Sequence, residues 1–524
     1  MLTDNPQIFP ITRGRRPLIA KSRATSKSLP APVGGWNARD SIADMDEKDA
    51  VILTNFFPST TSVNLRGGYS KFATGFGAQV ETVIAYSGAT TNKLFGIAGG
   101  AVYDASAGGA VGAAALSGLS NSRWQYVNIT TAGGSFIEMC NGADSVYTFN
   151  GTTWTDQSGN ITGVTSSTLI GINLHQERIW FVQVGTLKAW YLPVKSISGA
   201  AAALDLSAFC PHGGYLMAMG TWSMDAGTGM DDMAVFITSN GDCLVYRGTD
   251  PSSSSTWTKI GTYWVGSPIG RRCLVKYQGD LLIITQDGLL SMSQILSSSN
   301  LKAKPKSITD KIQKATSDAV TAYGSNFGWQ VIPYDKQTAI VINVPVSTNA
   351  NQQQYVMNTI TGAWCNFTAW YANCLEIYED DLYFGGTNFI GKAWTTYADA
   401  GQAIPTFGLQ AFSHYGSPAQ LKRFTMMRPT FYASSPPAVN GQINVDYDKS
   451  PATAVLAAAT AIGALWDTGV WDTALWGSGL ELSRQWQGAA GVGYCGAPNI
   501  ATNTNSIELQ WLATDVVLEA GAIL

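Results

Sequence analysis

The stretch "FIEMCNGADSVYTFNGTTW", residues 136–154, decides how the whole chain is read. Two short apolar runs rich in β-formers are each followed by Asn-Gly, and the phrase closes on Trp154. Asn-Gly beside alternating hydrophobics is a strong hairpin signal, because a two-residue hairpin turn needs positive φ at its centre. The stretch therefore reads as consecutive hairpins with an aromatic plug.

The phrase recurs on both sides. "KLFGIAGGAVYDA" begins at Lys93, "RIWFVQVGTLKAWYL" at Arg178, "AVFITSNGDCLVYRG" at Ala234 and "LLIITQDGLLSM" at Leu281. "AIVINVPV" at Ala339 and "DLYFGGTNFIGKAW" at Asp381 complete the series, with starts 42 to 58 residues apart. A period of about 40–50 residues with several strands per unit marks a β-propeller blade. One blade cannot bury both of its faces, whereas a ring of blades can. The expectation is an all-β fold, with a propeller of six or seven blades over residues 81–400; a series of two-sheet sandwiches is the competing arrangement. The longer steps hold insertions, and "SITDKIQKATSDAVTAYG" (307–324) reads as a helix that Ser307 or Thr309 could cap.

Outside this core the rhythm changes. Residues 401–524 read as a C-terminal β-sandwich-like domain with long strands in 409–433 and 441–450, a turn at Pro436-Pro437, and a closing strand that alternates to Leu518. Within it, "ALWDTGVWDTALWGSG" (464–479) sets Trp466, Trp471 and Trp476 five residues apart. That step lines up on neither a helix face nor a strand face, so a loop presenting one ring per turn is expected. Three such rings need cover, either from their own domain or from another subunit. Residues 1–33 read as a flexible basic arm: Arg13, Arg15, Arg16, Lys21, Arg23 and Lys27 stand in 11–30 without an acid. Residues 34–80 read as helix, turn and strand, since the acids at 44–49 suit a helix N-terminus.

Composition narrows the function classes. Only 13% of residues are charged and the net charge is −4, so the surface as a whole does not suit nucleic-acid binding. Seven cysteines without C-x-x-C read as buried free thiols, and His175, His212 and His414 stand apart from one another. No apolar run reaches the ~18 residues of a membrane span, and the N-terminus shows no hydrophobic signal core. There is no nucleophile elbow, P-loop or H-E-x-x-H, so no catalytic residue, cofactor or metal is expected. The acid pairs Asp231-Asp232 and Asp380-Asp381 fall at expected turns. "FNGTTW" (149–154), "TDPSSSSTW" (249–257) and "NTITGAW" (358–364) read as structural turns too.

One segment carries a resemblance. "GGWNARDS…DAVILTNFFPSTTSVNLRGGYSKFATG", from Gly34, is similar to the opening of tail nozzle (tail tubular) proteins of short-tailed phages. The propeller-like repeat, "FSHYGSPAQLKRFTMMRPTF" and the tryptophan ladder strengthen the likeness. The resemblance implies a non-enzymatic virion protein, made in the host cytoplasm and assembled as a ring, as a hexamer in the family. The ring continues the DNA channel below portal and adaptor, adjoins tail fibres or spikes, serves DNA retention and ejection, and inserts in no membrane. The expected interface residues are Trp466, Trp471, Trp476, Arg13, Arg15 and Arg16. A carbohydrate-binding or glycan-cleaving propeller is the alternative function.

Overall fold

The computed structural model describes residues 24–223, 232–297, 307–347, 352–453, 455 and 479–523. Each of the seven repeated phrases begins within two residues of the start of a strand: Asn92–Ala98, Gly134–Cys140, Arg178–Gln183, Asp232–Thr238, Asp280–Thr285, Ala339–Val344 or Asp381–Gly385. Each is the second strand of an antiparallel blade. The innermost strands are the later part of Tyr69–Ser87, then Gln125–Thr131, Leu169–His175, Leu216–Ser223, Leu274–Tyr277, Gln330–Tyr334 and Cys374–Tyr378. Each packs beside the next and the last beside the first, closing a seven-bladed ring.

The side chains explain why the second strands read as nearly continuous apolar runs. Ile179 and Phe181 enter the core between the second and third blades, while Trp180 and Val182 enter the core between the third and fourth. Ile340 and Ile342 likewise face the fifth blade, and Val341 faces the seventh. Alternation persists, but both faces are buried, so both carry apolar residues.

The ring is closed by one long strand. In Tyr69–Ser87, Tyr69 to Gln79 pair with Thr387–Ala393 as the outer strand of the seventh blade. From Val80 the same strand pairs with Asn92–Ala98 and becomes the inner strand of the first blade.

Beside the propeller lies a two-sheet β domain. In one sheet, Leu509–Ile523 is flanked by Gln420–Ala433, Ala24–Pro30 and Val63–Leu65. The other orders Asp49–Thr54, Ile404–Gln410, Gly496–Thr504 and Val439–Val445, and joins the sixth blade where Thr54 pairs with Asn366. Phe56, Trp511, Phe424, Ile443 and Ile500 lie in their shared core.

Three expectations are corrected here. Residues 41–57 contain no helix: turns at 41–48 lead into the strands Asp49–Thr54 and Phe56–Pro58. The β-formers of "DAVILT" pair with Ile404–Gln410, and that tertiary partner overrides the helix-favouring acids. The basic arm does not extend to residue 33, because Ala24–Pro30 is a strand whose Ala24 lies opposite Glu519. Nor is the C-terminal domain built from residues after 400 alone, since residues 24–65 supply part of both sheets. Gln313–Tyr323 is the expected helix. All seven cysteines are buried and free.

Candidate functional site

The inner strands surround an axial cavity of about 240 Å³. Its polar lining comes from different blades: Thr82, Tyr126, Asn173, Lys276, Gln330 and Glu376. At one end the space adjoins a second cavity of about 310 Å³, bordered by Arg123, Arg271, Arg272, Asn141 and Phe327.

Arg272 precedes the fifth blade and reaches across the axis. Its Nη2 donates to Thr82 Oγ1 (2.9 Å) in the first blade and to the Trp124 carbonyl (3.1 Å) just before the second. Thr82 Oγ1 donates to the Ser122 carbonyl (2.7 Å) and accepts the Trp124 N–H (3.0 Å). Arg272 also lies 5.2 Å from the Phe327 ring, and Arg123 lies 4.5 Å from the same ring. The guanidinium bridges the mouth of the axis.

Glu376 borders the cavity and is half-buried, with Tyr126 and Arg272 beside its carboxyl. Burial pushes its pKa up to about 7, against smaller opposing effects of a Tyr126 hydrogen bond and the nearby Arg272. Gln330 ties the neighbouring strand, donating to the Leu375 carbonyl (2.7 Å) and accepting the Leu375 N–H (3.0 Å). His175 is pushed down to about 4 by burial, and its Nδ1 lies 3.2 Å from Thr221 Oγ1. Thr221 in turn donates to the Leu174 carbonyl (3.0 Å), so it accepts from His175, which is neutral at pH 7 and structural.

A second polar cluster sits where propeller and β domain meet. Arg66 is fully buried and grips Asp399 with Nη1 (2.9 Å) and Nη2 (2.5 Å). Its Nε donates to Asn55 Oδ1 (2.8 Å), and its other donors reach the Gly67 and Thr368 carbonyls. Trp370 lies 5.3 Å from the guanidinium. The glycines that follow are required by close approach: a Cβ on Gly67 would lie 2.3 Å from the Trp394 ring, and one on Gly68 would lie 2.0 Å from the Ala398 carbonyl oxygen.

Those residues singled out in the sequence that the structure describes are not gathered into one place. Trp466, Trp471, Trp476, Arg13, Arg15, Arg16 and Asp231 lie outside the described residues. Asp380 is exposed at a hairpin, and Asp381 pairs with Lys392 (2.6 Å) and Lys336 rather than entering the axis. His212 Nδ1 meets Asp242 Oδ1 (2.6 Å), and His414 is half-buried with its Nδ1 3.4 Å from the Tyr494 carbonyl. Asn150, Asp250 and Asn358 form the expected turns, each accepting from backbone two residues on. Arg271, Arg272 and Glu376 were missed. The dibasic pair before an apolar strand was the available signal, but nothing in the sequence places Glu376 opposite it. Among the described residues, no group of three or more His, Cys, Asp or Glu could hold a metal. Nor is any described helix long and apolar enough to cross a membrane.

No family model and no curated protein sequence matches the chain. Among solved structures it is similar to the β-propeller domain of Myceliophteria thermophila Cps50 (Swd1), at 11% identity and TM-score 0.38, covering 61% of this chain and 100% of that one. BBS1N, solved in complex with ARL6DN, matches at 15% identity and TM-score 0.29, covering 43% and 67%. An exo-β-1,3-galactanase from Phanerochaete chrysosporium matches at 12% identity and TM-score 0.28, covering 75% and 95%. The strand pairings themselves establish an all-β protein built on a seven-bladed β-propeller.

Proposed function

We propose that the chain is a non-enzymatic structural subunit of a phage tail, assembled with copies of itself into a nozzle ring that retains and releases DNA. The observation that carries this reading is the position of residues 34–80. The segment whose sequence resembles tail nozzle proteins supplies strands to the β domain, the Arg66 cluster, and the strand that closes the propeller. A scaffold so dependent on that segment explains why its sequence would be distinctive.

Two further features fit. The axial cavity is small and bridged by Arg272, so a duplex would pass between subunits and not through the propeller. The β domain also presents exposed Met426, Tyr432, Leu482 and Val492 on adjoining strands, with Trp486 between two of them, an apolar face suited to a neighbouring copy. Partners on this reading are adaptor or portal-side proteins and tail fibres or spikes, and the location is the virion.

Negative-stain images and sedimentation of the purified chain test the proposal, together with labelling of the chain in phage particles. Closed rings with an open centre are expected. A strict monomer at every concentration, with no label on any particle, would sink it. The axial cavity is the specific feature favouring the carbohydrate-binding alternative, and it is open to a separate test.

A further inference from the structure

The second cavity, at the mouth of the propeller axis, holds an excess of positive charge. Arg123 Nε meets Glu81 Oε1 at 3.0 Å, which satisfies that pair. Arg272 is committed to backbone and hydroxyl acceptors. Arg271 donates to the Met217 carbonyl (3.2 Å) and lies 5.7 Å from the Tyr215 ring, and no carboxylate among the described residues pairs with it. Glu376, which borders the axial cavity, is engaged by Tyr126. A guanidinium largely withdrawn from water without a counter-ion is costly, and a bound anion would offset that cost.

The surroundings indicate what kind of anion fits. The cavity encloses about 310 Å³. That is the lower end of the roughly 300–1,000 Å³ typical of small-molecule sites, so the occupant is small. Gln125 and Arg271 border both cavities, and the side chain of Asn121 stands at the mouth, while the Asn141 amide is already engaged by Asp144. Phe327 supplies an aromatic wall beside the cations. Guanidinium groups bind the paired oxygens of carboxylate or phosphate, and amides suit hydroxyl groups.

We propose that this mouth binds a small hydroxylated oxyanion, a sugar acid or a sugar phosphate, with its oxyanion against Arg271 and its body beside Phe327. The inference does not rest on ring assembly, and binding need not lead to any reaction.

Isothermal titration calorimetry of the full chain with glucuronate, glucose 6-phosphate and glucose tests it. At least one of the two anions should bind, with glucose about tenfold weaker or worse. Binding of glucuronate alone identifies the sugar acid, and binding of glucose 6-phosphate alone identifies the sugar phosphate. Arg271→Gln should weaken that anion about tenfold or more while the melting transition is retained. Arg123→Gln, at the more exposed rim, should weaken it about threefold, and raising the salt should weaken binding to the unaltered chain. The rim variant and the salt series keep the test decisive if Arg271→Gln does not fold. No heat from either anion at about 10 mM, equal affinity for glucose, or affinity unchanged in the folded variants would overturn the proposal.

Discussion

The propeller blades and the neighbouring β domain are both antiparallel sheet, but their strands find partners at opposite distances along the chain. Within a blade, His175 pairs with Arg178 and Tyr277 with Asp280 across tight turns. In the β domain, Ala24 pairs with Glu519, and Arg66 reaches Asp399. Closing a long loop costs entropy that rises only slowly with length, so distant pairing is affordable in the folded state but slow to find. The blades are held by many similar small contributions. The β domain is held by long strand pairings between segments far apart in sequence, and its junction with the propeller by the buried Arg66–Asp399 pair.

The largest expected effect tests that contrast at the junction. Arg66→Ala leaves Asp399 buried without its partner, and should cost about 3–5 kcal/mol in denaturant unfolding. Adding Asp399→Leu should recover part of the loss. If Arg66→Ala costs no more than a surface change, the junction is not a critical link. Gly68→Ala comes next, because its Cβ would press on the Ala398 carbonyl oxygen, which is backbone and cannot swing aside. An overpacking cost of roughly 1–3 kcal/mol is expected, read as a lower melting temperature.

Glu376 moves the comparison to the axis of the propeller. Its pKa of about 7 in the folded chain lies above the ordinary 4.5, so the folded state holds the proton more tightly. Stability contributed by this group is therefore present below about pH 4.5 and is lost as pH rises towards 7. Cavity water reduces the effect to the order of 1–2 kcal/mol. Glu376→Gln should flatten the fall between pH 4.5 and 7 and melt higher than the unaltered chain at pH 8. An unchanged pH profile would show that the carboxyl titrates normally. The smallest effect belongs to a single blade turn, where Asn150 Oδ1 accepts the N–H groups of Thr152 (3.0 Å) and Thr153 (2.8 Å). Asn150→Ala should cost about 0.5–1.5 kcal/mol, and hydrogen exchange should rise mainly within the second blade.

The same contrast explains what could be read from the sequence. Asn-Gly and Asp-Gly turns lie beside the strands they join, so the seven phrases located the seven second strands to within two residues. Nothing local in "DAVILT" says that its partner is Ile404–Gln410, and the preceding acids favoured a helix in the absence of that partner. Arg66 and Asp399 carry no sign of each other across such a separation. The axial site was hidden for a related reason: Arg272, Thr82 and Glu376 come from different blades, and only ring closure brings them together.

The pairing of Ala24–Pro30 with Leu509–Ile523 also sets a timetable for biosynthesis. A ribosome adding about 5–20 residues per second makes each blade within seconds, but the partner of Lys27 emerges roughly half a minute to two minutes after Lys27 itself. Through that interval the first described strand has an open edge while blades condense behind it. Ring closure must likewise await Thr387–Ala393, leaving the outer half of Tyr69–Ser87 with only its short pairing to Gly109–Ala110 until then. A nascent chain of this design therefore carries open β-edges on segments made well before their partners, and chaperones that bind emerging segments would have that interval in which to act.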